Sequence, residues 1–251
     1  MPPVTVTFLG TGNFEAPGRY WNSFVVQAPE LTLLVEPSPT ALPNLRRAGF
    51  AIEQLDAVVI SHFHPDHTFG WPFLVFEAMN RGRTHPLSVI GPPGVEEFLA
   101  SMMRLGAVEE VSAQAHERLS IDYLTPQPGA PLQLLGGAHL TAHVVEHVTR
   151  LTCFGYVIEV GGHRLGYSGD THPCAGLEAI AASSQTLVLE CNGAHPSPTH
   201  MDVEAVRSLA SHHPGTRLVV THRGGDVEPG MLPGILVPDD YDRIELTAPP
   251  E

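Results

Sequence analysis

Short runs of apolar, often β-branched residues recur along the chain, each closed by glycine, proline or a polar cluster, and that rhythm predicts strands. Residues 4–9 alternate Val-Thr-Val-Thr-Phe-Leu and then turn at Gly10-Thr11-Gly12. Residues 23–27 and 31–35 read as a hairpin across Ala28-Pro29-Glu30, and residues 154–160 and 164–168 as a second around Gly161-Gly162-His163. Further strands are expected at residues 56–60, 87–90, 140–148, 187–190 and 218–221, with Val237 and residues 244–246 as one more edge pair. Helical spacing covers residues 95–105, where Val95, Phe98, Leu99 and Met102 share a face, and residues 202–210, with a shorter helix over 41–49. A helix past Asp66 starts irregularly because of Gly70 and Pro72. Residues 111–139 mix polar strands, prolines and a Gly-Gly turn and are the hardest to read.

Strands and helices alternate in blocks, which suggests an α/β chain of the α+β kind, two sheets face to face with helices outside. The pattern alone does not fix that architecture. No solenoid-period repeat, low-complexity tract or linker interrupts the chain, so residues 1–251 are expected to form a single domain.

Composition narrows the function classes. Apolar residues make up 43% and charged residues 16%, an ordinary globular balance. The formal charge is −14, which repels polyanions at long range and counts against a large nucleic-acid footprint. Bound divalent metals would offset part of that field locally, leaving small anionic substrates open. Cys153, Cys174 and Cys191 are scattered and form neither a disulfide framework nor a CxxC motif. The N-terminal residues carry no signal-peptide pattern and no stretch is long enough to span a membrane, so a cytoplasmic, reducing location is expected.

One stretch carries most of the chemistry. Ser61-His62-Phe63-His64-Pro65-Asp66-His67-Thr68-Phe69-Gly70 follows the apolar run Ala57-Val58-Val59-Ile60. Imidazole and carboxylate suit zinc, iron or manganese, and a loop leaving the end of a strand can hold them rigidly. The spacing lets one loop serve two adjacent metals, His62 and His64 on one and Asp66 and His67 on the other. Further ligand-type residues stand after other apolar runs: His147, Asp170, His200 and His222. Side chains at strand ends converge on one rim of a sheet, so distant residues can complete such a site.

These pieces together are similar to the metallo-β-lactamase superfamily, whose pattern is HxHxDH followed by His, Asp and His. The resemblance is nearest to its ribonuclease Z and cyclic-phosphodiesterase branch. It rests on Phe8-Leu9-Gly10-Thr11-Gly12, residues 61–70, the histidine before Gly155-Tyr156, Ser168-Gly169-Asp170-Thr171, Thr199-His200-Met201 and Thr221-His222. It implies a four-layer αββα sandwich with a dinuclear site on one edge. By position, His62, His64 and His147 would bind one metal, Asp66, His67 and His222 the other, and Asp170 would bridge them. The two divalent ions are expected to be zinc, with manganese or iron open, and to share a hydroxide that attacks phosphorus or a carbonyl carbon. A histidine matching His200 is associated with protonating the leaving oxygen, and Asp66 with orienting the nucleophile.

Competing assignments stay open at this point. His143 rivals His147 for the third histidine, although the distance to Gly155-Tyr156 favours His147. Glu190 is a candidate hydrogen-bond partner for His200, and Glu36 stands where many relatives carry an aspartate. His172 and His195 are near motifs. His85, His116, His163, His212 and His213 read as solvated, and His139 as strand surface. Only residues 148–169 separate His147 from Asp170, leaving no room for the long tRNA-gripping arm of ribonuclease Z. With the acidic charge, that argues against tRNA. The expectation is therefore a dinuclear metal-dependent hydrolase of small phosphodiesters, with a small-molecule substrate, no membrane partner and a homodimer left open. Hydrolysis of carboxylic esters, lactones or sulfate esters is the alternative, and a metal-binding scaffold without catalysis a further one.

Overall fold

Successive residues of a strand point to opposite faces of a sheet, and in this chain the two faces of each sheet meet different neighbours. The computed structural model describes residues 3–106, 115 and 117–246. Its strands are β1 (Val4–Gly10), β2 (Ser23–Ala28), β3 (Leu31–Val35), β4 (Ala57–Val59), β5 (Leu87–Ile90), β6 (Ile121–Leu124), β7 (Pro131–Gln133), β8 (His139–Val145), β9 (Cys153–Val160), β10 (His163–Tyr167), β11 (Thr186–Cys191), β12 (Arg217–Arg223) and β13 (Arg243–Leu246). Its helices are α1 (Ala41–Arg47), α2 (Pro65–Thr68), α3 (Trp71–Asn80), α4 (Val95–Leu105), α5 (Ala175–Ser183) and α6 (Val203–His212). One sheet runs β13-β1-β2-β3-β4-β5-β6 and the other β12-β11-β10-β9-β8-β7.

Three buried clusters map the layers. Val6, Phe8, Leu33 and Val59 of the first sheet pack with Leu140, Ile158, Val188 and Val219 of the second, which places a core between the sheets. The alternate residues Leu9, Leu34, Val58 and Ile60 face outward against Leu45 of α1, Trp71 and Leu74 of α3 and Leu99 of α4. On the far side Leu187, Leu189 and Val220 meet Leu177 and Ile180 of α5 and Val206 and Leu209 of α6. The result is an α/β sandwich of four layers, helices–sheet–sheet–helices, as expected. Among the described residues no helix is long and apolar enough to cross a membrane.

Strand direction determines where chemistry can collect. β3, β4, β5 and β6 are mutually parallel, and so are β10, β11 and β12. β8 runs antiparallel to β9, which runs antiparallel to β10, so β8 and β10 end on the same side. Loops leaving the carboxyl ends of parallel strands form crevices at which ligands bind. The two sheets are joined at this edge by buried polar links. Tyr156 Oη donates to the Ile60 carbonyl at 2.7 Å, and Phe154 N to the Ser61 carbonyl at 2.9 Å.

The structure departs from the sequence expectation in several places. Strand β8 stops at Val145, so His147 lies beyond it in the following loop rather than closing it. His222 lies inside β12 rather than after it. Val237 joins no strand; its neighbour Leu236 bridges Val219 of the second sheet, whereas β13 pairs with β1 of the first. Helix α5 was not expected. His163, the first residue of β10, is buried, and its Nε2 lies 3.2 Å from Oγ1 of Thr186, the first residue of the neighbouring β11. Residues 107–114 and His116, in the stretch hardest to read, lie outside the described residues.

The opposite edge, at the amino ends of β4 and β5, is tied by one cation. The buried Arg83 guanidinium donates to the carbonyls of Ile52 at 2.7 Å, Leu55 at 2.6 Å, His85 at 2.9 Å and Pro86 at 2.8 Å. Arg83→Met keeps the aliphatic stem and leaves those carbonyls unsatisfied, so a stability loss of about 3 kcal/mol or more is expected in urea titrations. Metal content per folded molecule should not change, since every candidate ligand lies at the other edge; a parallel loss of metal would refute this separation.

Candidate metal centre

Each candidate ligand arrives on a loop or irregularity at the carboxyl edge. The loop after β4 carries His62 and His64 and then enters the one-turn α2, which holds Asp66 and His67; Pro65 at its first position suits a helix start. Gly169 at φ 59° lets the next loop pass close to it, since a Cβ there would lie 2.6 Å from the Phe154 carbonyl and 2.9 Å from Ser61 Cβ. That passage delivers Asp170. The β11–β12 register shifts so that Glu190 faces Thr221 and Cys191 faces Arg223, which leaves His222 unpaired at φ 46°. A bulge of this kind re-aims a side chain out of the alternating pattern.

The side chains converge. Asp170 Oδ2 lies 3.4 Å from His67 Nε2, 3.5 Å from His222 Nε2 and 3.9 Å from His62 Nε2. Asp66 Oδ2 lies 3.4 Å from His222 Nε2 and 3.5 Å from His67 Nε2. His147 Nε2 is 3.2 Å from His64 Nδ1. Two groups with metal-ligand spacing follow: His62, His64, His147 and Asp170, and Asp66, His67 and His222, with all ligand atoms of a group within 4.8 Å of one another. Asp170 and His222 also group with His200. His143, half-buried on β8 opposite Gly155, belongs to none of these groups.

Outer partners orient the rings, a recurrent arrangement around metal-binding histidines. His62 Nδ1 meets Ser61 Oγ at 2.9 Å, and His147 Nδ1 donates to the Thr199 carbonyl at 2.8 Å. Glu36, fully buried at φ 58°, accepts from Ser61 N at 3.0 Å with one oxygen and holds the other 3.5 Å from His67 Nδ1. This turns Nε2 of His62, His67 and His147 toward the middle. His62 Nε2, His67 Nε2 and Asp170 Oδ1 are buried there without hydrogen-bond partners. Unsatisfied buried groups each cost about 1–3 kcal/mol, and a divalent cation would satisfy all of them, so the donor set fits a metal.

The electrostatics of three of the imidazoles agree with that fit, while His67 would have to release a proton to bind a metal. Burial pulls the His62, His64 and His147 imidazoles below their usual pKa, keeping them in the neutral form that binds metal. Burial also opposes charge on His67, but the Asp170 and Glu36 carboxylates outweigh it and hold its pKa well above the usual value. Asp170 shows the converse: burial pushes it up, yet His222, His67 and His62 hold it well below the usual carboxylate range.

His200 stands at the edge of the centre, its Nδ1 2.9 and 3.0 Å from the two carboxylate oxygens of Glu190. Glu190 is buried at the end of β11 and accepts from Thr171 N at 2.7 Å. Burial and Asp170 raise the Glu190 pKa well above its usual value, and burial lowers that of His200. His200, Asp66, Asp170 and His222 open into a cleft of about 440 Å³. His172 and His195 do not line it; His172 turns to the Pro173 carbonyl and Glu146 instead. One wall was not anticipated, the apolar face made by Phe14, Trp21, Pro39, Pro65 and Phe69.

Over residues 32–223 the sequence matches the family described as the beta-lactamase superfamily domain. The chain belongs to the metallo-β-lactamase superfamily. A curated relative named Ribonuclease Z, from Lachnoclostridium phytofermentans, is 30% identical over 158 residues, 62% of this chain and 49% of the relative. The chain thus spans about half the length of that relative. The metallo-β-lactamase fold protein YhfI from Bacillus subtilis superposes with a TM-score of 0.79 at 21% identity, covering 97% of this chain and 99% of the other. A diphosphatase of the PhnP family superposes with a TM-score of 0.78 at 20% identity, covering 97% and 98%. At those identities the superpositions bear on the metallo-β-lactamase fold alone. The ribonuclease relative leaves the expectation against tRNA without support from these likenesses, and that exclusion is withdrawn.

Proposed function

We propose that the chain is a dinuclear metal-dependent hydrolase of small phosphodiesters. The observation that carries this reading is His200, held by the buried Glu190 on the cleft side of the ligand cluster. The curated relative's name, a ribonuclease, adds support for phosphodiester bonds. His62, His64, His147 and Asp170 would hold one ion, and Asp66, His67 and His222 with Asp170 the other. Zinc is the first candidate for this imidazole and carboxylate set. When bound, the ions supply Lewis-acid polarisation of a phosphoryl oxygen and a water acidic enough to act as nucleophile near neutral pH.

The chain's own side chains do the remaining work. Asp66, which lines the cleft, would accept a hydrogen bond from the attacking water and orient it. Glu190 occupies His200 Nδ1, so Nε2 is the nitrogen left to give a proton to the departing oxygen. The turn between β9 and β10 is only Gly161-Gly162, which supports a small substrate. RNA is the second reading, favoured by the relative's name.

The deciding measurement strips the protein of metal, restores zinc, manganese or iron separately, and offers four substrates. These are bis-p-nitrophenyl phosphate, p-nitrophenyl acetate, p-nitrophenyl sulfate and an RNA hairpin with a 3′ extension. Diester turnover exceeding the other two small esters is expected. Turnover of the acetate or sulfate with none of the diester under any metal would replace this reading with the ester or sulfate alternative. Cleavage of the RNA alone would install the second reading, and no turnover at all would leave a metal-binding scaffold.

A further inference from the structure

The apolar lining beside the ligands is held in place, not incidental. Phe14 and Phe69 are 62% and 47% exposed, and Trp21, Pro39 and Pro65 line the cleft with them. The loop carrying Phe14 is closed at both ends by one carboxylate. Asp240 accepts from Thr11 N and Thr11 Oγ1 at 2.8 Å with one oxygen and from Tyr20 N at 2.8 Å with the other. Trp21 Nε1 donates across the loop to the Phe14 carbonyl at 3.3 Å. Asn13 Nδ2 donates to Asn192 Oδ1 at 2.8 Å, tying the loop to the cleft floor and leaving the Asn192 amide nitrogen as a neutral donor.

Charge is the second observation. The chain has 13 arginines and no lysine, and no arginine lines the cleft among the described residues. The residues outside the description contain no arginine either. Arg223, next to His222, is buried with Nη2 2.8 Å from Asp239 Oδ1, and Arg19 Nε lies 4.0 Å from the same oxygen. Neither lines the cleft, and Nε and Nη1 of Arg223 are buried without a hydrogen-bond partner. A site for a second phosphate or an extended phosphate backbone needs such cations.

From this wall we infer, resting on the phosphodiesterase reading, that the substrate is a monoanionic diester bearing an uncharged aromatic substituent. Phe14, Trp21 and Phe69 pack against that group beside the reacting phosphorus. Flat apolar groups gain from burial and from offset or edge contacts with aromatic side chains, whereas a second anion away from the metal ligands loses its hydration with no arginine lining the cleft to meet it.

Calorimetric titration of the metal-loaded protein with diphenyl phosphate, dimethyl phosphate and bis(4-carboxyphenyl) phosphate tests this, because the three share the same diester centre. Diphenyl phosphate is expected to bind at least about tenfold more tightly than each of the others. Phe14→Ala and Phe69→Ala should each narrow the phenyl-over-methyl ratio, and Asp240→Ala, which frees both ends of the loop, should narrow it too. Affinities within about twofold of one another, or a ratio unmoved in all three variants, would overturn the inference. A phenyl preference in a protein that hydrolyses no diester would sink the catalytic reading and keep the subsite. Diester turnover without a phenyl preference would do the reverse, and failure of all three phosphates to bind would remove both.

Discussion

Replacing Asp170 with asparagine is expected to abolish stable metal loading and to lower diester turnover by more than the roughly 10–100-fold typical of losing an outer-sphere partner. The substitution conserves volume, so packing is kept while charge is lost. In the native chain the carboxylate lies within 3.9 Å of His62, His67 and His222 at once, bringing the two candidate ligand groups together. Those imidazoles hold it ionised against the opposing effect of burial. An amide in its place offers one neutral oxygen and none of the negative charge that pairs with His67 or offsets a divalent ion. Two readouts separate loss of metal from loss of fold. Metal content after dialysis should fall in the variant while its far-ultraviolet circular dichroism stays native. A chelator should also lower the wild-type Tm and leave the variant unmoved. Metal at a hundredfold excess over Kd stabilises by about 2.7 kcal/mol, a shift of roughly 5–10 °C for a chain of this size. Full metal content with wild-type turnover in Asp170→Asn would remove Asp170 from its proposed bridging position.

Much of this candidate site was legible because its candidate ligands follow apolar runs whose ends the sequence marks clearly. Ala57-Val58-Val59-Ile60 announces a buried strand, and the histidines after it have nowhere to go but the sheet edge. The same logic placed Asp170 after the β9–β10 hairpin. It also paired Glu190 with His200, which the structure shows in contact at 2.9 Å. The preference for His147 over His143 rested on spacing to the next motif, and the structure gathers His147, not His143, beside His64.

What escaped the sequence shares a cause: it depends on breaks in periodicity. His222 reads as the residue after a strand because alternation cannot reveal that the chain bulges and continues through Arg223. Helix α5 is rich in alanine and glycine, and its apolar stripe of Leu177, Ile180 and Ala181 is too sparse to stand out. The aromatic wall left one signal. Phe14 sits between Asn13 and Glu15 in a loop with no periodic apolar partner, whereas Phe69 reads as part of the apolar run Phe69-Gly70-Trp71-Pro72-Phe73 and gives no such signal.

His200→Ala should lower kcat by about 10²–10⁴-fold for diesters with poor leaving groups, with metal content unchanged. The discriminating variable is the leaving group. An alkoxide leaves poorly without a proton, whereas p-nitrophenolate is stable as the anion and departs without one. The defect should therefore be large for a dialkyl diester, whose leaving group is an alkoxide, and small for bis-p-nitrophenyl phosphate. A residue that merely shaped the centre would depress both alike. Glu190→Gln provides the companion test, because it removes the carboxylate that meets His200 Nδ1 at 2.9 Å while keeping the side chain's shape. Its defect should follow the same dependence on leaving group with smaller amplitude, since the imidazole remains but is no longer held in one tautomer. Equal losses for good and poor leaving groups in both variants, or loss of metal in His200→Ala, would remove the proton-donor role and make His200 a ligand or a spacer. The grouping of His200 with Asp170 and His222 makes the metal measurement the first to read.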